Sequence, residues 1–123
     1  MGTKGIGVDI VDIRKLRKIL KGKAGRKFVS NTFTGREIEC AKGGMNIYKL
    51  ATSFAAKEAV FKALGTGWIE GKDVEIVRSR EEGTPSIVLH GKTEKAARKM
   101  KITKVLATLS YTDDYAVAVA VIS

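Results

Sequence analysis

The middle of the chain reads Phe54-Ala-Ala-Lys-Glu58-Ala-Val-Phe-Lys62-Ala-Leu-Gly65-Thr-Gly67, a run of strong helix formers followed by a glycine turn. Apolar side chains recur at helical spacing and predict one buried stripe, made of Leu50, Phe54, Phe61 and Leu64. Alanines keep much of the remaining surface small, so other parts of the chain can approach closely. The sequence therefore predicts a central helix against which the rest of the domain packs.

Glu58 and Lys62 lie four residues apart and project from the same side of this helix. One interpretation is an ordinary ion pair on a solvated face, which contributes only about 0.2–0.5 kcal/mol. The other is a catalytic helix, in which the carboxylate binds a metal ion, the lysine binds a phosphate, and the amides of the glycine turn face an anion. The helix alone does not decide between the two.

Length and composition predict one globular domain, residues 1–123, with a real hydrophobic core. Apolar residues make up 44% and charged residues 29%, which is ordinary for a soluble protein. No apolar run approaches the roughly 20 residues needed to cross a bilayer, and the amino terminus has no secretory hydrophobic region. Cys40 is the single cysteine, so we expect no internal disulfide and a reducing, cytoplasmic location.

The net charge of +10 favours an acidic partner, whether nucleic acid, a membrane surface, an anionic metabolite or an acidic protein. A basic nucleic-acid-binding domain is therefore one hypothesis for the function. Against it, aromatic residues make up only 7% of the chain, do not cluster as a stacking platform, and accompany no known binding motif.

The amino-terminal run Gly5–Ile13 is rich in β-branched residues and predicts a strand. Ile6, Val8 and Ile10 share one face of it, and Asp9 lies on the other face between Gly7 and Val11. An acid inside such a strand is costly to desolvate unless something pairs with it, so Asp9 lies either at a solvated edge or beside a partner. Asp12 is expected to be the N-cap of the next helix.

That helix is predicted from about Ile13 to Lys21 and is strongly basic. Its cations are Arg14, Lys15, Arg17, Lys18 and Lys21. They form either a solvated face or a docking surface, because no acid lies among them to neutralise their charge. The following residues, 21–27, are expected to be a basic loop.

The remaining elements complete an α+β fold, with an antiparallel sheet packed with a long central helix. Thr34 and Glu37 form a capping-box pattern that predicts a short helix ending near Lys42, where Gly43 and Gly44 break it. After Trp68 the hydrophobic period changes to two. The predicted elements there are strands Asp73–Arg78, Ser86–His90, Lys104–Ser110 and Tyr115–Ile122, and a short helix capped by Thr93 and ending near Lys101.

Two of these motifs together resemble the holo-[acyl-carrier-protein] synthases, the small 4′-phosphopantetheinyl transferases. They are Gly5-Ile-Gly-Val-Asp9-Ile and, about fifty residues later, the run from Phe54 to Gly67. The closing segment Leu109-Ser-Tyr-Thr-Asp-Asp-Tyr-Ala-Val-Ala118 also resembles the terminal hairpin of that family. The resemblance covers almost the full chain and implies a 4′-phosphopantetheinyl transferase-like fold.

The resemblance implies a Mg²⁺-dependent transferase of fatty acid biosynthesis. Its members move 4′-phosphopantetheine from coenzyme A to a serine of apo acyl carrier protein and release adenosine 3′,5′-bisphosphate. Asp9 and Glu58 match the two carboxylates that hold Mg²⁺, an ion that usually takes one or two carboxylates plus phosphate and water. Lys62 matches a lysine near the phosphates. The base that takes the serine proton is Glu58 or a metal-held water, and the sequence leaves both open.

Further matched positions concern the nucleotide, the carrier protein and the assembly. Those near the nucleotide and its phosphates are Lys62, Gly65, Thr66, Pro85 and Tyr111. Tyr111 stands where the family often has histidine, and Ser53 where many relatives have arginine. Carrier proteins are acidic, so their expected dock is the basic helix with Arg14, Arg17, Lys18 and Lys21. Members of this length are typically homotrimers with active sites between subunits.

Overall fold

The computed structural model describes residues 2–42, 46–79 and 84–123 and confirms an α+β fold. In chain order the elements are β1 (Gly5–Asp12), α1 (Ile13–Lys21), α2 (Gly25–Thr32), α3 (Gly35–Cys40), α4 (Ile47–Leu64), a short 3₁₀ helix (Gly71–Asp73), β2 (Val74–Val77), β3 (Ser86–Leu89), α5 (Gly91–Lys99), β4 (Val105–Tyr111) and β5 (Tyr115–Ile122). None of the helices in these ranges combines the length and apolarity that crossing a membrane requires.

The strands form two antiparallel sheets rather than one. The larger has the order β1-β5-β4, and the smaller pairs β2 with β3. Within the larger sheet the first and last strands of the chain lie side by side, so that Asp9 is opposite Ala118. This pairing fixes the position of Asp9 on the face of the sheet that α4 covers.

The central helix α4 packs on β1 and β5 at very short range. Ala116, Ala118 and Ala120 are fully buried beneath it, as the alternation in β5 predicts. On β1, a Cβ added at Gly7 would collide with the backbone of Ala59, and one added at Gly5 with the backbone of Ala63. Strand and helix are therefore in backbone contact, which no larger residue at these two positions would allow.

The predicted helix and its glycine stop are confirmed. Asn46 caps α4 by accepting hydrogen bonds from the amides of Tyr48 and Lys49, and Gly65 ends it in the left-handed conformation at φ +74°. Of the predicted stripe, Leu50, Phe61 and Leu64 are buried, and Phe54 is partly buried. Because the alanines are also buried, α4 is surrounded by the rest of the domain rather than lying on its surface.

Three local predictions were wrong. The predicted basic loop ends early, because α2 begins at Gly25, whose missing Cβ lets the chain pack against the carbonyl of Leu20. Thr93 is not the cap of α5: His90 occupies that position, and Thr93 lies inside the first turn. There its amide and hydroxyl both donate to the carboxylate of Asp73. The third error concerns Asp73 itself, which was predicted to begin a strand but lies in the 3₁₀ helix before β2.

Other predictions differ only at their ends. The strands expected to reach Arg78 and His90 stop one residue short, and α5 stops at Lys99. Thr34 and Glu37 form the expected capping box, and α3 ends at Cys40. Gly43 and Gly44, the expected breakers, lie outside the described residues.

A buried ion pair that the sequence did not reveal ties α4 to its surroundings. Lys57 is fully buried, and its Nζ donates to Glu37 Oε1 at 2.8 Å and Oε2 at 3.0 Å. The same Nζ also contacts the carbonyl oxygens of Gly71 at 2.8 Å and Val74 at 2.6 Å. Glu37 in turn accepts from the amide of Ile76. This cluster joins α3, α4 and β2, and so fixes the helix that carries Glu58.

The outer face of the larger sheet is apolar and open. Ile6 is 68% exposed, Val8 54%, Ile10 65% and Leu106 47%. Contiguous patches of exposed apolar side chains commonly mark interaction surfaces.

Candidate active site

Three of the predicted site residues meet in one cavity. Asp9 from β1 and Glu58 and Lys62 from α4 all line a cavity of about 680 Å³. The wall is completed by side chains of α1, α2 and β5, including Phe28 and Tyr115. The two carboxylates, about fifty residues apart in sequence, therefore share the same open space.

Asp9 has the partner that a buried strand acid needs. Lys62 Nζ donates to Asp9 Oδ1 at 3.0 Å and to the carbonyl oxygen of Val8 at 3.1 Å. Asp9 does lie on an edge strand, since β1 is the first strand of its sheet, but its side chain is only 16% exposed, so the predicted solvated environment was wrong. Lys62 pairs with Asp9, and within the described ranges no ion pair joins it to Glu58. The helix thus does not carry the ordinary surface pair that its spacing suggested.

Glu58 is the less satisfied of the two carboxylates. Burial raises the pKa of Glu58 above its ordinary value, the negative charge of Asp9 raises it further, and Lys62 opposes both. Within the part of the chain that the structure describes, its carboxylate accepts no hydrogen bond and forms no ion pair. A cation placed between Glu58 and Asp9 would relieve this repulsion.

The donor set fits a hard divalent cation that keeps some of its other ligands. The described residues contain no group of three or more histidine, cysteine, aspartate or glutamate side chains around one point. Two carboxylates beside a large open cavity match Mg²⁺, which binds few protein groups and completes its shell with water and phosphate oxygens. They do not match a structural zinc site, which needs four protein ligands.

The glycine turn after α4 lies elsewhere and offers fewer donors than expected. The amides of Gly65 and Thr66 donate to carbonyl oxygens of the last turn of α4, and the Thr66 hydroxyl donates to the carbonyl of Gly67 at 2.8 Å. The first two amides are therefore not free to face an anion. Gly65 and Thr66 are exposed and do not line the cavity of Asp9 and Glu58, and neither does the partly buried Pro85.

Tyr111 lines a different cavity, near the start of α4. It stacks on Tyr48 with ring centroids 4.7 Å apart, and both line a space of about 280 Å³ together with Arg78. The sequence showed Arg78 only as the expected end of a strand, and no motif singled it out. On a single chain, Lys62 is thus the one of these nucleotide positions that lies with the carboxylates, whereas Gly65, Thr66, Pro85 and Tyr111 do not line their cavity.

The basic helix borders the carboxylate cavity. Lys15, Leu16 and Ile19 of α1 are among its lining residues, whereas the predicted docking residues, Arg14, Arg17, Lys18 and Lys21, are exposed. Arg14 is not free, since its Nε lies 3.3 Å from Asp12 Oδ1 and its guanidinium lies over Tyr115. A partner bound to this helix would therefore hold its own residues close to the cavity mouth.

Comparison with known proteins gives a consistent result. Residues 5–120 match the model of the 4′-phosphopantetheinyl transferase superfamily. The chain is 41% identical over 125 residues to the holo-[acyl-carrier-protein] synthase of Chlamydia caviae, with 98% of each chain covered. It is 42% identical over 120 residues to that of Desulforudis audaxviator, covering 95% of this chain and 90% of the relative.

Two solved structures extend the similarity to three dimensions. The Helicobacter pylori holo-[acyl-carrier-protein] synthase in complex with coenzyme A superposes with a TM-score of 0.83 at 30% identity, over 96% of this chain and 99% of that one. The synthase from Neisseria meningitidis gives a TM-score of 0.88 at 29% identity, over 99% of both chains.

Proposed function

Since this chain belongs to the 4′-phosphopantetheinyl transferase superfamily, we propose that it converts apo acyl carrier protein to its holo form. The substrate is coenzyme A, the acceptor is a serine of the carrier protein, and the second product is adenosine 3′,5′-bisphosphate. The observation that supports this proposal best is the shared cavity of Asp9 and Glu58, which come from different elements and carry few other partners. The proposed setting is fatty acid biosynthesis in the cytoplasm.

Asp9 and Glu58 are the residues that would hold Mg²⁺. The bound ion would supply Lewis-acid neutralisation of the coenzyme A pyrophosphate. Lys62 keeps the Asp9 carboxylate oriented toward the cavity through its contact with Oδ1, and its ammonium adds a point charge for a phosphate oxygen. Both carboxylates are fixed on rigid elements, which favours accurate positioning of the reacting groups.

The transfer itself is a displacement at phosphorus. The serine oxygen of the carrier protein forms a bond to the phosphorus that bears the pantetheine arm, and the bond to the nucleotide phosphate breaks. The serine proton goes to Glu58 or to a water beside it, and adenosine 3′,5′-bisphosphate leaves. Glu58 suits the role of acceptor because its oxygens have no other protein partner among the described residues, and burial raises its pKa above the ordinary value.

The carrier protein is proposed to dock on α1. Arg17, Lys18 and Lys21 are exposed and form no ion pair within the described ranges, so their charge is available to an acidic partner. Arg14 lies on the same helix with its charge shared by Asp12. Because α1 also lines the cavity, a partner bound there presents its serine to Asp9 and Glu58.

A homotrimer with shared active sites is the proposed assembly. The exposed apolar face of the larger sheet supports it, because Ile6, Val8 and Ile10 would lose contact with water in such an interface. The positions matched to the nucleotide support it too: Gly65, Thr66, Pro85 and Tyr111 do not line the cavity of their own carboxylates. A neighbouring copy is proposed to supply the residues that complete the nucleotide site.

The deciding experiment is intact-mass analysis of apo acyl carrier protein incubated with the protein, coenzyme A and Mg²⁺. We expect a gain equal to one phosphopantetheine, no gain with chelator in place of Mg²⁺, and release of adenosine 3′,5′-bisphosphate. Absence of any gain across a panel of carrier proteins would overturn the proposal. Tight, salt-sensitive RNA binding in a filter assay without transfer would favour the nucleic-acid hypothesis instead.

A further inference from the structure

The cavity beside the start of α4 has the opposite electrostatic character to the cavity of the carboxylates. It lies between the start of α4, the residue after β2 and the end of β4, and has a volume of about 280 Å³. Arg78 and Lys49 contribute cations to its wall, and none of the described residues that line it is acidic. The first cavity is lined by three acidic residues, Asp9, Asp12 and Glu58, and by two lysines, Lys15 and Lys62. One space thus suits a cation and the other an anion.

Arg78 is held in place by neutral oxygens through a single nitrogen. Its Nη2 lies 2.8 Å from Thr52 Oγ1, 3.1 Å from Ser53 Oγ and 3.3 Å from the carbonyl oxygen of Lys49. An arginine has five N–H donors, and only the two on Nη2 are used here. Within the described residues Nη1 and Nε have no protein acceptor. Neither nitrogen is so deeply buried that it counts as an unsatisfied buried donor. Three donors therefore remain accessible.

Among the described residues, the charge of Arg78 also lacks a counter-ion. Burial lowers the pKa of its guanidinium, and the described part of the chain contains no carboxylate paired with it. The negative charge of Glu37 acts on Arg78 through space, but both oxygens of that carboxylate are already bound to Lys57. A partly desolvated cation without an ion pair is stabilised by a bound anion. The free donors and the missing counter-ion thus point to the same kind of ligand.

Coenzyme A supplies such an anion in addition to its pyrophosphate, namely the phosphate on the ribose 3′ oxygen. We propose that Arg78 binds this 3′-phosphate and is the residue by which the protein distinguishes coenzyme A from 3′-dephospho-coenzyme A. The inference rests on the proposed function. The planar guanidinium offers parallel donors that match two oxygens of a phosphate. Lys49 and Tyr111 line the same cavity and offer an ammonium and a hydroxyl for the remaining oxygen.

The position of Arg78 implies that it acts on a coenzyme A held by a second copy. Thr52, which anchors Arg78, and Glu58 are six residues apart on α4, or about 9 Å along the helix axis and on different sides of it. The two cavities share no lining residue. One nucleotide joins its two phosphate groups through a single ribose, so we expect it to contact the carboxylates of one chain and the Arg78 of a neighbour.

The test compares kcat/KM for coenzyme A and for 3′-dephospho-coenzyme A in the wild type, Arg78→Gln, Arg78→Lys and the control Arg98→Gln. We expect the wild type to prefer coenzyme A and Arg78→Gln to lose about 10-fold to 100-fold with coenzyme A while changing little with the dephospho form. Arg78→Lys should recover only part of the preference, because an ammonium cannot form the paired contact. The control Arg98→Gln, at an exposed residue of α5, should keep the full preference for coenzyme A.

Three results would overturn the inference. They are an undiminished preference in Arg78→Gln, an equal loss with both substrates, and a wild type that does not prefer coenzyme A. The second result would mean that Arg78 only supports the fold. If the wild type transfers nothing, the proposed function fails, and calorimetry with adenosine 3′,5′-bisphosphate and 5′-AMP still decides on Arg78. Equal affinity of the wild type for both nucleotides, or unchanged selectivity in Arg78→Gln, would then exclude it.

Discussion

Replacing Lys57 by methionine should be among the most destabilising single changes in the protein. The substitution keeps an unbranched side chain, one atom shorter, but leaves the Glu37 carboxylate, 2% exposed, without its counter-ion. It also removes the donor that serves the carbonyl oxygens of Gly71 and Val74. Breaking one partner out of a buried pair costs about 3–5 kcal/mol, because a charge remains buried and unpaired.

The expected shift in melting temperature follows from the size of the protein. At about 2.1 cal/mol/K per residue, a chain of 123 residues unfolds with an entropy of about 0.26 kcal/mol/K. A loss of about 3–5 kcal/mol therefore lowers Tm by about 12–19 °C. Thermal and urea unfolding followed by circular dichroism measures both quantities.

A surface pair provides the matched control. Lys42 and Glu39 form an ion pair at 3.0 Å with side chains 66% and 68% exposed, so Lys42→Met should cost at most about 1 kcal/mol. The double variant Lys57→Met with Glu37→Gln removes both buried charges and should lose less than the sum of the two single losses. A loss below about 1 kcal/mol for Lys57→Met, or strict additivity in the double variant, would refute the reasoning.

Three further predictions concern the site, the dock and pH. Asp9→Ala and Glu58→Ala should each abolish most transfer and the rise in Tm produced by Mg²⁺ alone, while the circular dichroism spectrum is unchanged; near wild-type turnover at low Mg²⁺ would remove that residue from the ligand set. Arg17→Glu should raise KM for the carrier protein more than it lowers kcat, whereas the control Arg98→Glu on α5 should change neither. An unchanged KM in Arg17→Glu would exclude docking on α1. Glu75 is buried, which opposes its ionisation, but hydrogen bonds from Thr34 and His90 outweigh this and lower its pKa. Glu75→Gln should therefore reduce the unfolding free energy at pH 7, and the difference from wild type should disappear as the pH falls through the folded pKa, below the ordinary value of 4.5; a difference independent of pH would contradict this assignment.

Local signals in the sequence predicted most of the secondary structure. Asp12, Thr34 and Gly65 act at helix ends through contacts with adjacent residues, and the structure shows each of them in the predicted role. The β5 alternation is equally local, since each side chain faces one side of the strand. These features need no knowledge of the rest of the fold, and for that reason they could be read from short windows.

The errors arise where a distant residue takes over a local role. Asp73 bonds the amide and hydroxyl of Thr93 from another element, so the cap motif of α5 misled the prediction. The site shows the same limit. Glu58 and Lys62 look like an i,i+4 pair, but Lys62 turns to Asp9 on a strand that the helix covers. Arg78 became visible only when the fold placed it against Thr52.

Gly7 keeps β1 close to α4 and so sets the dimensions of the candidate active site. It lies two residues before Asp9 on the same face of β1, in backbone contact with the turn of α4 that carries Glu58. Side-chain packing can rearrange after a substitution, whereas contact between two main chains cannot. Any larger residue there would push the strand off the helix and widen the gap between the two carboxylates, so close packing at this position would also be needed for the proposed Mg²⁺ site.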